Sequence, residues 1–132
     1  MDTEKVCVNL PAAEIGKIDV LVAQGLYSSR TDLIRAGIRK TLEDNHDAVT
    51  TVIQGGARIG YQILSRAELE MAKRGGTKLN IFVMGVLHIQ ASVTPDLADA
   101  TVDHIQIFGS VKGPKAVIDR LGDRIVRGFG TA

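Results

Sequence analysis

Residues 5–10 read K-V-C-V-N-L, one short alternating run with no second strand in the first 45 residues to pair with it. Successive side chains of a strand point to opposite faces. Val6, Val8 and Leu10 therefore share one face, and Lys5, Cys7 and Asn9 share the other. An unpaired strand leaves a row of backbone donors and acceptors without partners. Two amphipathic helical patterns follow directly, and a unit of this size has too little interior to fold alone. The segment therefore predicts a second copy of the chain, pairing strand with strand.

The helical patterns carry their own punctuation. Pro11 ends the strand and suits the first turn of a helix, where its missing N–H costs nothing. Ile15, Ile18, Leu21 and Val22 form a helical stripe, and Gly25 reads as its C-terminal cap. A second helix is predicted to start near Ser29, whose hydroxyl can cap the first free amides. Asp32 follows three positions on, as a short form of the capping box. Leu33, Ile34, Ile38 and Leu42 make the apolar face, with Arg30, Arg35, Arg39 and Lys40 elsewhere. Gly37 in mid-helix costs roughly 1 kcal/mol against alanine and suits a close approach between two helices.

The K-V-C-V-N-L-P strand, the helix after it, Gly25, and Y-S-S-R-T-D-L-I-R at 27–35 together resemble the ribbon-helix-helix family of Arc/MetJ/CopG type. The resemblance covers about 40 residues, the N-terminal third. It implies that two chains pair their strands into an antiparallel ribbon that enters the major groove of double-stranded DNA. Carried over by position, it implies that Lys5, Cys7 and Asn9 face the bases. Ser29, Arg30 and Thr31, at the amino end of the second helix, would hold a backbone phosphate. The chemistry fits these roles unequally. Asn9 can pair bidentately with adenine, and Lys5 can donate to guanine acceptors. A helix start with free amides is a natural phosphate site. Cys7 departs from the polar or basic residue usual there, and a thiol is a weak hydrogen-bond partner. If the two-fold axis passes near the strand centre, Cys7 lies opposite its mate, close enough for a bridge. The simpler reading is an inert small residue.

Charge bears on the resemblance. The chain carries 16 basic and 15 acidic side chains, and residues 1–45 hold 6 and 7 of them. DNA-binding domains usually show a clearer basic excess, which keeps a purely dimerising role for this segment open. At 45% hydrophobic and 23% charged, the chain reads as globular. No apolar run reaches membrane-spanning length, and MDTEK lacks the pattern of a secretory signal. The single cysteine excludes an intrachain disulfide. A cytoplasmic setting is the expectation.

Residues 46–78 read as a linker with a helix. Residues 46–58 either extend the second helix or form a short one before Gly55-Gly56. Tyr61 to Leu64 looks like a short strand, and Ser65 with Glu68 caps a helix running to Arg74. An internal repeat follows. A shift of 24 residues aligns Ile81 with Ile105, Val83 with Ile107, Gly85 with Gly109, Leu87 with Val111, Val93 with Val117 and Leu97 with Leu121. Each copy reads as strand then helix: 79–89 with 95–102, and 104–112 with 114–121. The connection from 90 to 103 is long enough for a crossover, so parallel pairing is predicted. Both faces of the 79–89 strand are apolar, which predicts burial on both sides. Two repeats are too few for a free-standing solenoid, so self-association is expected to cover the open faces.

The expected architecture is thus α+β: a ribbon-helix-helix domain over 1–45, a linker and helix over 46–78, and a small β-α-β-α module over 79–132 serving oligomerisation or sensing. No cofactor, metal or catalytic site is expected. His88 and His104 share a strand-face parity but lie roughly 26 Å apart at strand rise. No nucleophile stands beside a base, and Gly55-Gly56 and Gly75-Gly76 read as turns rather than a phosphate loop. The function expected is a dimeric, non-enzymatic transcriptional repressor, a homodimer or higher oligomer on DNA. The alternatives are a toxin-neutralising antitoxin, or a scaffolding protein that uses the repeat. A protein partner for the C-terminal module is left open.

Overall fold

Pro11 and Gly25 set the limits of the first helix. The computed structural model describes residues 3–130. The chain divides into two units, Met1–Thr50 and Thr51–Ala132. In the first unit, residues 3–11 carry neither helix nor strand, since the single chain offers Lys5–Leu10 no ladder. Pro11 is the N-cap of α1 (Ala12–Ala23), one position earlier than expected. Its carbonyl accepts from the amides of Glu14 and Ile15 at 3.0 and 3.2 Å. The helix closes in a Schellman motif: Leu26 N–H donates to Leu21 O at 3.1 Å and Gly25 N–H to Val22 O at 3.0 Å. Gly25 takes the φ of +79° that the motif requires. α2 (Arg30–Asp44) starts after Ser29. Asn45 ends it, and α3 (His46–Gln54) is a separate helix.

In the second unit, strands and helices alternate. They are β1 (Arg58–Leu64), α4 (Arg66–Arg74), β2 (Leu79–Ile89), α5 (Pro95–Thr101), β3 (Val102–Lys112), α6 (Lys115–Leu121), a 3-10 turn at Gly122–Arg124 and β4 (Ile125–Arg127). The strands form one sheet in the order β1-β2-β3-β4, every pair parallel. Side-chain hydroxyls cap two of the crossover helices: Ser65 Oγ accepts from Glu68 N, and Thr94 Oγ1 from Leu97 N.

Ile81 stands beside Ile105, Val83 beside Ile107, Gly85 beside Gly109 and Leu87 beside Val111. These are pairs that the 24-residue shift aligns. β1 adds a further strand to the same layer, with Ile59 beside Met84 and Gly60 beside Gly85. Gly60 lies 25 rather than 24 positions before Gly85, so a strict 24-residue shift passes over it. β3 begins at Val102, two residues earlier than expected. The register slips between Leu79 and Asn80, pairing Leu79 with Val102 and Asn80 with His104, so Asp103 is bulged out.

The core lies between the sheet and the three crossover helices. Ile81, Val83, Leu87 and Ile89 of β2 are buried there with Ile105 and Ile107 of β3, against Leu69, Leu97, Val117 and Leu121 of the helices. At about 25 cal/mol per Å² of apolar surface removed from water, each such side chain contributes about 1.5–3 kcal/mol. The opposite face differs from the expectation of burial on both sides. Phe82, Met84, Val86 and His88 are half-buried there, because every crossover helix sits on the other face.

Candidate nucleic-acid interface

Lys5, Cys7 and Asn9 all lie in the extended N-terminal segment and all are exposed. Val6 and Val8, on the alternate positions, are also exposed, at 80% and 71%. A single chain has no surface that sorts the two faces of this segment. The first unit repeats that condition throughout. Among its described residues none is buried, and Val20, Ile34, Ile38 and Leu42 remain 42–55% exposed. Leu10, Ile34, Gly37, Ile38 and Leu42 line an open apolar groove of about 660 Å³. A Cβ placed on Gly37 would meet nothing within 4 Å, so the backbone there is accessible to another helix.

The amino end of α2 is built as a capped helix start. Ser29 is extended at φ −163° and ψ 168°, and its Oγ accepts from the Asp32 amide at 3.1 Å. The Asp32 carboxylate accepts in return from the Ser28 amide at 3.1 Å, one residue ahead of the position a capping box uses. The amides of Arg30 and Thr31, at the first two helical positions, have no partner inside the helix and carry the positive end of its dipole. Both residues are exposed.

Arg30 has a second engagement that the sequence reading missed. Its Nε and Nη2 donate to the two carboxylate oxygens of Asp19, both at 2.8 Å, joining α2 to α1. The Arg30 hydrogen bond holds the Asp19 carboxyl below its ordinary range, and the same bond raises the guanidinium further. The sequence signal was an aspartate on the polar side of α1, 11 residues before an arginine at the start of α2. Only the chain reversal at Gly25 brings the two together. Two of the three side chains placed at the phosphate position thus already have work within the fold: Ser29 caps, and Arg30 clamps.

His104 stands beside Asn80 and His88 beside Lys112, at opposite ends of the β2–β3 pair. Among the described residues no helix is long and apolar enough to cross a membrane.

The comparison with curated proteins and the comparison with solved structures each returned no match. A family model does match. It is described as the ribbon-helix-helix transcriptional regulator family, and it matches residues 1–118. The match runs well past the N-terminal third that carried the resemblance, through β1, β2 and β3 and into α6. With so much of its length matched, the strand module included, the chain belongs to the ribbon-helix-helix transcriptional regulator family.

Proposed function

We propose that the chain is a DNA-binding repressor that acts as a homodimer or a higher oligomer. Two copies pair Lys5–Leu10 into an antiparallel ribbon, which sends Val6, Val8 and Leu10 inward over the helices. Lys5, Cys7 and Asn9 then point into the major groove. The free amides at the start of α2 grip a backbone phosphate, with Ser29, Arg30 and Thr31 around it. Residues 1–45 carry the DNA contact, and residues 79–132 bring copies together.

One observation supports this reading above the others: the first unit buries none of its described apolar side chains, leaving Ile15, Ile18, Leu21, Val22 and Leu33 half-buried and others exposed. Val6, Val8, Ile38 and Leu42 are each more than half exposed, and a second copy would bury them. The family match over 1–118 supports the regulatory role. Cys7 gives the ribbon an uncharged centre, so Lys5 and Asn9 carry the hydrogen-bonding share of base readout.

Selection of bound sequences from a random double-stranded DNA pool tests the reading. The expected result is enrichment of a two-fold symmetric or directly repeated motif, lost on substitution of Asn9 by alanine. A pool that shows no enrichment after repeated rounds at low salt refutes it.

A further inference from the structure

The sheet of the second unit has one face covered by helices and one left largely open, where the chain after α3, at Gly55, reaches the Phe82 ring at one end. α4, α5 and α6 all cover the side that holds Ile81, Val83, Ile105 and Ile107. The other side is apolar from β1 to β3. Register places Ile59 beside Met84 and Met84 beside Phe108; the next row places Tyr61 beside Val86 and Val86 beside Ser110. Phe82 and Phe108 lie 6.0 Å apart, and Phe129, 81% exposed, stands edge-on to Phe108 at 4.9 Å. Ile59 and Ile63 are 54% and 55% exposed.

All-parallel sheets occur almost only with both faces covered, because their strands are apolar on both sides. This sheet is wholly parallel. Its open face is therefore a surface built to be covered. The face carries no carboxylate in its Ile59–Met84–Phe108 and Tyr61–Val86–Ser110 rows, and no base either. His88 and Lys112 stand in the next row, at the edge of this face; the two central rows offer a charged partner nothing to recognise, and an identical pair of rows meets them without repulsion.

We infer that the open face of the sheet, centred on Met84, Val86 and Phe108, stacks face to face on the same face of a second copy of this chain. This rests on the proposal that the N-terminal units pair. Size argues for that tethered occupant. Three strand spacings by seven residues give about 14 by 23 Å, roughly 320 Å² in projection. Two such faces bury far less than the ~1,200 Å² of a free-standing stable interface. A copy already held by the N-terminal pairing is present at an effective concentration in the millimolar range, where a small apolar contact suffices. Stacked sheets sit about 10 Å apart, the depth that Phe82, Met84 and Phe108 from two copies fill.

The test uses the full chain with Cys7→Ser and Ser110→Cys, which places its one thiol in the middle of the face. The expected result is a dimer or larger by light scattering. Its introduced thiol reacts with maleimide at least ten-fold more slowly than in the same chain carrying Phe108→Glu as well. A short bismaleimide links two chains in the first protein and fails to in the second. A dimer whose thiol reacts at the rate of an exposed one and does not cross-link overturns the inference while leaving N-terminal pairing intact. A thiol protected only after cell lysate is added assigns the face to another protein and overturns it too. A monomer at micromolar concentration overturns the N-terminal pairing and this inference together.

Discussion

Replacing Gly85 by alanine tests whether the glycine row across the sheet is what lets three strands run side by side. Gly60, Gly85 and Gly109 lie beside one another in register, with φ values of +91°, +142° and +130°. A Cβ on Gly85 would sit 2.2 Å from Gly60 O and 2.8 Å from Gly60 C. One on Gly109 would sit 1.8 Å from Gly85 O. These contacts are with backbone, so no side chain can swing aside. The strands must separate, or the residue must abandon its conformation. Holding a non-glycine residue at such a φ costs about 1–3 kcal/mol, and forcing extra volume into a well-filled site costs about 1–3 kcal/mol more. The sum is about 4 kcal/mol. At about 4–8 °C per kcal/mol for a unit of this size, that is a melting temperature lower by about 20 °C. Gly60→Ala is the internal control. Its φ is also positive, but its Cβ would meet nothing within 4 Å, so it bears the conformational cost alone and loses about half as much. Thermal melts of the full chain followed by circular dichroism measure all three. Gly85→Ala and Gly109→Ala both melting within about 3 °C of wild type would refute the steric argument. A loss at Gly60→Ala equal to theirs would do so as well.

Two further outcomes follow from ion pairs. Asp19→Asn releases Arg30 from its clamp, so the guanidinium becomes available to phosphate. Affinity for DNA rises, and the salt dependence steepens by about 0.9 log units per log salt for each copy engaged, measured by anisotropy; an unchanged slope contradicts the assignment of Arg30 to phosphate. Asp99 accepts from Arg124 and Arg120, and the Arg124 hydrogen bond above all holds its carboxyl below the ordinary value of 3.8. The folded chain then binds this proton less readily than the unfolded chain. The stability Asp99 contributes is complete above its ordinary value and is lost as pH falls below it through the lowered one. Asp99→Asn therefore melts lower than wild type at pH 6 and shows a shallower acid limb; equal limbs would refute the pairing as a source of acid sensitivity.

Legibility tracked how local the determining interaction was. Ser29, Ser65 and Gly25 announce their helix ends because a cap spans only a few residues. β2 and β3 were legible as a parallel pair because their matching apolar positions recur at a constant 24. The sequence shows β1 only as a short strand from Tyr61, three residues after its true start, since a spacing of 25 moves Gly60 out of phase with Gly85. The one-sided helix layer was hidden for a different reason. Alternation in β2 is apolar on both faces, and that pattern is the same whether a helix or another chain supplies the cover. The Arg30–Asp19 clamp depends on how α1 and α2 turn back on each other, which no periodicity encodes. For Lys5, Cys7 and Asn9, alternation sorts the side chains into faces, and under the proposed pairing the second strand that gives those faces meaning lies on another copy.

The proposed function turns on an N-terminal ribbon that reads DNA. Its most direct test is fluorescence anisotropy of the full-length protein with a fragment of its own promoter, from about 50 to 200 mM salt. The expected result is tight binding that weakens linearly in log–log form as salt rises. Asn9→Ala should lose about 1–3 kcal/mol of discrimination for each base pair it reads, and Lys5→Ala should weaken binding as well. No binding to any promoter fragment at the lowest salt, with Lys5→Ala and Asn9→Ala indistinguishable from wild type, would contradict it.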